Sequence, residues 1–230
     1  MTFALNVLVV FAAASLHGAF SDAGAQFEKA HPGVAVRFDF DGSQILETQL
    51  ANGAPADVFA SADLRWMHAA QTQRLVAPPI AFAGNAIVAV AAAASHDRTL
   101  QDLARPGARV DICADSVPCG RYARYVLGRV HLTTAVMRNV VSNELDVEAV
   151  LTKVELGAVE AGFVYATDAR AAGASVRLIP IPHWAQPSIS YPIAVTSGSA
   201  HAALARAFVS FLRARAGQAI LRKYGFAPVR

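Results

Sequence analysis

The stretch Val7-Leu8-Val9-Val10-Phe11-Ala12-Ala13-Ala14-Ser15-Leu16 decides the fold. Residues 7–12 are apolar, rich in β-branched side chains and without alternation, which predicts a strand buried on both faces. Small residues then lead into Ser15, which predicts a tight turn and the start of a helix. In open α/β sheets, ligands bind outside the carboxyl ends of strands, where a helix N-terminus offers N–H groups. Ser15 is therefore either a helix cap or a donor at an anion site, and this stretch alone favours the cap.

Length and composition limit the function classes. The chain has 230 residues, of which 54% are hydrophobic, so it can form one large domain or two small ones with a buried core. The formal charge is only +3 and the 20 Lys and Arg residues are scattered. Without a basic stripe that alternates with aromatic residues, we expect no nucleic-acid partner. No run reaches the roughly 20 apolar residues of a spanning helix, so we expect no insertion into a membrane.

The first residues and the two cysteines bear on the cellular compartment. The first basic residue is Lys29, and the apolar run continues directly into a helical pattern. We therefore expect Met1 to begin a mature chain from which the leader peptide is absent, without a lipid anchor. Cys113 and Cys119 are six residues apart, which fits neither a zinc knuckle nor a C-x-x-C redox pair. A local disulfide and two buried thiols both remain open.

The opening pattern is repeated along the chain. Residues 34–40 alternate as a strand, and Asp41-Gly42-Ser43-Gln44 then leads into a second helical pattern. Residues 58–60 form a third short apolar run. Two serines that follow neighbouring strands can converge on one crevice, so Ser43 weakens the interpretation of both as simple caps.

A break in the rhythm at residues 75–79 predicts a second lobe. A new sheet is expected to open at residues 82–90, and residues 190–195 are expected to return the chain to the first lobe. The predicted lobes are residues 1–80 with 193–230, and residues 81–192. Within the second lobe we expect strands at 109–114 and 162–165, and a helix over 144–156 capped by Asn143. The fold class is α/β with two lobes.

Catalytic and metal chemistry lack the required patterns. Ser15 has His17 two residues away, but residues two apart on a helix do not face each other, and no G-x-S-x-G elbow is present. Cys119 at a helix start could be a nucleophile with His183 as its base, although nothing in the sequence links them. The seven histidines are dispersed, so we predict no catalytic residue and no metal-binding cluster.

What recurs is a strand end followed by neutral donors, namely hydroxyls and backbone N–H groups. Such donors suit a fully deprotonated tetrahedral oxyanion, because every oxygen of that ligand accepts hydrogen bonds and none donates. A protonated ligand such as phosphate would need an acceptor. Asp41 and Asp57 keep that question open, although a turn or cap role is favoured for Asp57.

Six phrases along the chain carry a family resemblance. They are FAAASL (11–16), GAPADVFASAD (53–63), VPCGRYA (117–123), VYATDA (164–169), YPIAV (191–195) and YGF (224–226). In this order they resemble the periplasmic molybdate-binding proteins of ABC importers, over nearly the whole chain. The resemblance implies the type II periplasmic-binding-protein fold, with two α/β lobes and a ligand cleft between them.

The resemblance also implies the ligand and the residues that bind it. Molybdate, and also tungstate, would be held by the hydroxyls and amides of Ser15 and Ser43, the amides of Cys119 and Val147, and Tyr165. It implies no enzyme activity, no cofactor, and no metal other than the molybdenum of the oxyanion. The expected partner is a membrane ABC permease, and the expected form is a periplasmic monomer.

Three residues depart from the family pattern. Cys119 stands where alanine is usual, Gln44 replaces a second serine, and His17 replaces a common threonine. None of these changes removes a donor. The alternatives are the same fold with sulfate, phosphate or ferric ion as ligand, the last through Tyr122 and Tyr125, and an extracytoplasmic hydrolase that uses Ser15 or Cys119.

Overall fold

The structure, a computed structural model, describes residues 6–229. Contacts between Cα atoms divide the chain into two compact units. The first unit is Met1–Gly84 with Ser190–Arg230, and the second unit is Asn85–Ile189. The sequence predicts lobes of residues 1–80 with 193–230 and of residues 81–192, and these boundaries stay a prediction.

Strands and helices alternate along most of the chain. The strands are β1 (Asn6–Ala13), β2 (Val34–Asp41), β3 (Val58–Ala60), β4 (Ile80–Asn85), β5 (Ile87–Ala92), β6 (Val110–Cys113), β7 (Val140–Glu144), β8 (Ala161–Tyr165), β9 (Val176–Ile179) and β10 (Ile189–Val195). The α-helices are α1 (His17–Ala30), α2 (Ser43–Ala51), α3 (Leu64–Thr72), α4 (Pro118–Arg129), α5 (Thr133–Met137), α6 (Val147–Glu155), α7 (Ala166–Ala172), α8 (Ala202–Arg213) and α9 (Arg215–Lys223). This pattern confirms the α/β class.

The sheet of the first unit has the strand order β2-β1-β3-β10-β4. β1 pairs in parallel with β2 and with β3, and Ala13 lies opposite Asp41 at the end of β2. The carboxyl ends of these three strands therefore meet at one edge of the sheet. β1 continues into a short 3₁₀ turn, Ala14–Leu16. The prediction of a strand at residues 7–12 is confirmed; Leu8 and Val10 are fully buried, whereas Val7 and Val9 on the opposite face are half-buried.

Aromatic side chains join the two ends of the chain in the first unit. Phe20 and Phe27 lie on the buried face of α1. Both rings contact Phe208 of α8 edge-on, with ring centroids 6.1 and 5.2 Å apart. Buried aromatic pairs of this geometry stabilise the fold beyond the effect of burying apolar surface. They therefore help α8 to hold α1 against the sheet.

The second unit repeats the arrangement of the first. Its sheet has the order β7-β6-β8-β5-β9, and β6 pairs in parallel with both β7 and β8. Cys113 at the end of β6 lies opposite Glu144 at the end of β7. After β6, β7 and β8 the chain enters α4, α6 and α7, so three helices follow strand ends at one edge of this sheet.

Two expectations about segment boundaries were wrong. The predicted sheet opening at residues 82–90 is split between two sheets, because the Asn85 side chain accepts a hydrogen bond from the Ala86 N–H and ends β4, which belongs to the first sheet. Asn143 lies in β7 and does not cap a helix. The cap of α6 is Asp146, whose carboxylate accepts from the Ala149 N–H at 2.9 Å.

A glycine allows α4 to start close to the end of β6. A Cβ atom at Gly120 would lie 2.2 Å from the Ala114 carbonyl oxygen and 2.3 Å from that of Cys113. Backbone atoms cannot move aside as the end of a flexible side chain can. Only glycine therefore permits this approach of the helix N-terminus to the strand end.

We expect Gly120→Ala to lower the free energy of unfolding by about 1–3 kcal/mol or more, since the added methyl group forces the helix away from the strand. Gly128→Ala in the same helix is the matched control, because its Cβ would meet only Thr133 Oγ1 at 3.9 Å. That control should gain up to about 1 kcal/mol from helix propensity. Urea unfolding of both variants measures the difference, and equal stabilities would contradict the close approach.

Candidate functional site

Ser15 lies directly beyond the end of β1, in the 3₁₀ turn. Its Oγ is 2.9 Å from the Tyr191 hydroxyl. Tyr191 belongs to β10 and is fully buried, and its ring contacts Phe82 and Phe226 edge-on. The residue at the N-cap of α1 is Leu16, and no side chain caps that helix. The interpretation of Ser15 as a helix cap is therefore wrong.

Ser43 is the first residue of α2 and is only 1% exposed. Its Oγ accepts a hydrogen bond of 3.0 Å from the Ala62 N–H, in the loop that follows β3. The N-cap residue of α2 is Gly42, and no side chain caps this helix either. Ser43 thus bonds to a neighbouring loop of the same sheet edge, and its cap interpretation is also wrong.

In the second unit, two predicted amide donors lie in the first turns of helices. Cys119 is the second residue of α4, after the N-cap Val117, and Val147 is the first residue of α6. Both residues are buried, at 1% and 4% exposure. N–H groups in the first turn of a helix have no carbonyl partner within the helix, so they can donate to a ligand.

The Cys119 side chain points into the protein core. Its thiol donates to the Phe163 carbonyl oxygen at 3.3 Å, and both Cys113 and Cys119 are free and buried. Burial raises the pKa of the Cys119 thiol well above its usual value, and the neighbouring Cys113 raises it further. A nucleophilic thiolate is therefore disfavoured, which opposes the hydrolase alternative at this residue.

Tyr165 ends β8 and is almost fully buried. Its N–H donates to the Asp168 carboxylate at 2.9 Å, and its ring packs against Tyr122. Burial raises the pKa of Asp168 to about 7, although the hydrogen bond from the Tyr165 N–H opposes this shift. The negative charge of Glu148 raises this pKa further. The Asp168 carboxyl is therefore partly protonated at neutral pH.

The structure brings the predicted residues together in two groups. Ser15 and Ser43 lie at the carboxyl edge of the first sheet, and Cys119, Val147 and Tyr165 follow strand ends of the second sheet. The partners of the two serines were not predicted from the sequence. The Ala62 N–H carries no side-chain signal, whereas the sequence signal for Tyr191 is a hydroxyl within an apolar strand.

The carboxylates that could serve a protonated ligand have partners in the first unit. Asp57 accepts from the Val9 N–H and from Ser199 Oγ, and it lies 3.4 Å from His201 Nδ1. The favoured turn or cap role of Asp57 is therefore wrong, because it joins β1 to the segment before α8. Asp41 accepts from the N–H of its neighbour Gly42.

Other chemistry finds little support in the described part of the chain. Between residues 6 and 229, no group of three or more His, Cys, Asp and Glu side chains could hold a metal ion, and no helix is long and apolar enough to cross a membrane. The His17 ring contacts Phe40 edge-on, whereas the Ser15 hydroxyl meets Tyr191. Ser15 thus has a phenol rather than an imidazole as its neighbour.

Comparison with known proteins gives consistent matches. Residues 8–227 match the sequence profile of the bacterial extracellular solute-binding protein family. The chain is 45% identical over 223 residues to the molybdate-binding protein ModA of Mycobacterium tuberculosis H37Rv, covering 96% of this chain and 84% of that protein. It is 33% identical over 229 residues to the molybdate-binding protein ModA of Escherichia coli K12, covering 95% and 88%. The periplasmic molybdate-binding protein of Azotobacter vinelandii has the same fold, with a TM-score of 0.87 at 23% identity over 97% of this chain and 100% of that one.

The buried carboxyl of Asp168 makes stability depend on pH. Its pKa of about 7 in the folded protein lies above the ordinary value of 3.8, so the folded state binds the proton more tightly than the unfolded state does. Stability from this group is therefore complete at low pH and is lost as the pH rises towards 7. Between pH 5 and pH 8, we expect the wild type to lose about 2 kcal/mol of unfolding free energy relative to Asp168→Asn.

Urea unfolding of both proteins at the two pH values measures this difference. Asp115→Asn is the matched control, because the Asp115 side chain is 72% exposed in the same unit, and it should follow the wild type. If Asp168→Asn and the wild type change in parallel, the raised pKa of Asp168 is contradicted.

Proposed function

The chain belongs to the bacterial extracellular solute-binding protein family, among the relatives of ModA, and on this premise we propose that it captures molybdate for a membrane ABC permease. Its relatives are solute-binding proteins rather than enzymes, and this chain is likewise a binding protein. We place the capture in the periplasm, by a monomer that uses no cofactor. The observation that carries the proposal is the Ser43 hydroxyl, which already accepts a hydrogen bond from the protein.

The proton count at Ser43 fits a molybdate ion. A hydroxyl has one proton to donate and two lone pairs to accept with. Since the Ala62 N–H occupies a lone pair, the Ser43 proton remains to be donated. Molybdate carries no proton at neutral pH, so each of its oxygens accepts and none donates. A buried hydroxyl with a free proton is a suitable partner for such an oxygen, and a bond to a charged oxygen is stronger than a neutral one.

The other donors are also neutral. We propose that Ser15 and Ser43 of the first unit and Cys119, Val147 and Tyr165 of the second unit act on the same oxyanion. Exclusion of water from the bound oxyanion would strengthen each of these hydrogen bonds. The amides of Cys119 and Val147 support this proposal because both lie in the first turn of a helix, where the helix dipole also favours a negative charge.

Size and protonation set the expected selectivity. Sulfate is also a doubly charged tetrahedron, but it is smaller than molybdate. Donors placed for molybdate would therefore form longer and weaker hydrogen bonds to sulfate. Tungstate is nearly the size of molybdate and should bind as well. Hydrogen phosphate needs an acceptor for its proton, and none of the five residues assigned to the site carries a carboxylate. Phosphate should therefore bind weakly.

Isothermal titration of the purified protein with molybdate, tungstate, sulfate and phosphate, at one pH and ionic strength, tests the proposal. We expect one-to-one binding of molybdate and tungstate, with little heat from sulfate and phosphate. Heat from sulfate alone would identify sulfate as the ligand in place of molybdate. In a separate titration with ferric ion, a coloured complex would favour the alternative in which tyrosines bind iron. No heat from any of the four anions would contradict oxyanion capture.

We expect Ser43→Ala to weaken molybdate binding by about 1–3 kcal/mol, because a hydrogen bond to a charged oxygen is lost. Ser21→Ala is the matched control, since Ser21 is exposed on α1, and it should keep the wild-type affinity. Unchanged affinity in Ser43→Ala would remove Ser43 from the site. Val147 and Cys119 contribute backbone groups, so they are not tested by truncating their side chains.

A further inference from the structure

We propose that Tyr191 is a positioning residue that donates a hydrogen bond to Ser15, so that Ser15 in turn donates its proton to an oxygen of the bound oxyanion. This inference rests on the proposed function, because it assigns a role to Ser15 at the molybdate site. It concerns the protonation state of the ligand that the first unit accepts.

The position of the Tyr191 hydroxyl is fixed by its surroundings. Tyr191 is fully buried in β10, and β10 pairs with β3 through Ile193 opposite Ala60. Its ring lies edge-on to Phe82 and to Phe226, with centroids 6.4 and 5.4 Å away. A ring packed on two sides within a strand cannot swing away from its place. Its hydroxyl is therefore held 2.9 Å from Ser15 Oγ, at the carboxyl edge of the sheet.

Either oxygen of this pair can be the donor, and a bound oxyanion distinguishes the two arrangements. If Ser15 donated to Tyr191, the Ser15 oxygen would present only lone pairs to a negatively charged ligand, which repel it. If Tyr191 donates, the Ser15 proton is free for the ligand. A phenol is also a stronger acid than an aliphatic alcohol, so it is the better donor of the two. The bound state therefore favours donation from Tyr191 to Ser15.

Ser43 shows the same arrangement with a donor that cannot reverse. The Ala62 N–H can only donate, and it does so to Ser43 Oγ. With Tyr191 as the donor to Ser15, both serines of the first unit accept from the protein and donate outwards. Hydrogen bonds in such a chain polarise one another, so each serine proton becomes a stronger donor.

This arrangement predicts a difference between ligands that differ in protonation. With one lone pair of Ser15 occupied by the Tyr191 proton, the serine proton is directed to a ligand oxygen that carries no proton of its own. Removing the Tyr191 hydroxyl lets the Ser15 hydroxyl rotate and accept. The change should therefore weaken molybdate binding more than phosphate binding, because only hydrogen phosphate carries a proton that the freed serine can accept. Loss of structure alone would weaken both equally.

The first test is titration of Tyr191→Phe with molybdate and with inorganic phosphate. This variant keeps the ring and its contacts with Phe82 and Phe226. We expect the molybdate Kd to rise roughly three- to tenfold, as for one lost hydrogen bond, and the ratio of phosphate Kd to molybdate Kd to fall. Tyr224→Phe is the matched control, because the Tyr224 hydroxyl bonds to Asp22 in the same unit, and it should change neither value.

The second test is a double-mutant cycle between positions 15 and 191. In the Ser15→Ala background, Tyr191→Phe should have no further effect on molybdate Kd, because the tyrosine acts through the serine. Wild-type affinity in Tyr191→Phe, or a loss of equal size in both backgrounds, would overturn the positioning role alone. Unchanged affinity in Ser15→Ala would overturn the assignment of Ser15 to the site, and the inference with it.

A further variant keeps the proposal testable if Tyr191→Phe does not fold. Incorporation of 3-fluorotyrosine at position 191 makes the phenol more acidic and retains its hydroxyl. Below the pKa of this phenol, a stronger donor to Ser15 should lower the molybdate Kd. A Kd that rises instead would show that Ser15 donates to Tyr191, which contradicts the proposal.

Discussion

Parallel pairing of β1 with β2 and β3 is the interaction on which the first unit depends. β1 matches β2 along its whole length, from Asn6 opposite Val34 to Ala13 opposite Asp41. Because the strands run the same way, the turns that follow them all emerge at one edge. The register of this pairing places Ser15, directly after Ala13 and Ala14, beside the turn that follows β2. β6 has the corresponding position in the second unit, between β7 and β8.

Only a few residues are then needed to provide neutral hydrogen-bond donors at this edge. A helix that begins at such an edge presents N–H groups without intrahelical partners, and a small residue there adds a hydroxyl. What the fold must add is control over which way each hydroxyl donates. At Ser43 this control comes from a backbone N–H of the next loop, and at Ser15 it is assigned to a phenol from a distant strand. The orientation of both hydroxyls therefore depends on contacts between segments far apart in the chain.

This dependence explains which features were predictable from the sequence. β1 and the turn at Ser15 follow from a local pattern of apolar and small residues. The predicted cap of α6, Asn143, was wrong, because Asn143 and Asp146 are both good cap residues. Only the pairing of β7 with β6 shows which of the two follows the strand. Tyr191 is 176 residues from Ser15, so no local pattern connects them.

The division between the sheets was also hidden. One residue, Ala86, separates β4 from β5, although the two strands belong to different sheets. Both segments are apolar, and a continuous apolar run does not show where one sheet ends. The turn depends on the Asn85 side chain, which bonds to the next N–H. Asparagine commonly forms such turns, but the sequence alone does not show that the chain passes to another sheet at this point.

Asp168 is a buried carboxyl group in contact with two of the residues proposed to bind the oxyanion. It accepts from the Tyr165 N–H and so fixes the backbone at the residue whose hydroxyl is assigned to the ligand. Its charge also acts on the Cys119 thiol, which places it near a second assigned donor. An ionised carboxylate there would repel a dianion. Because burial raises the pKa of Asp168 to about 7, protonation can remove that charge, and a bound dianion would favour the protonated form further. The same group can therefore hold the backbone in place and become neutral when an anion binds.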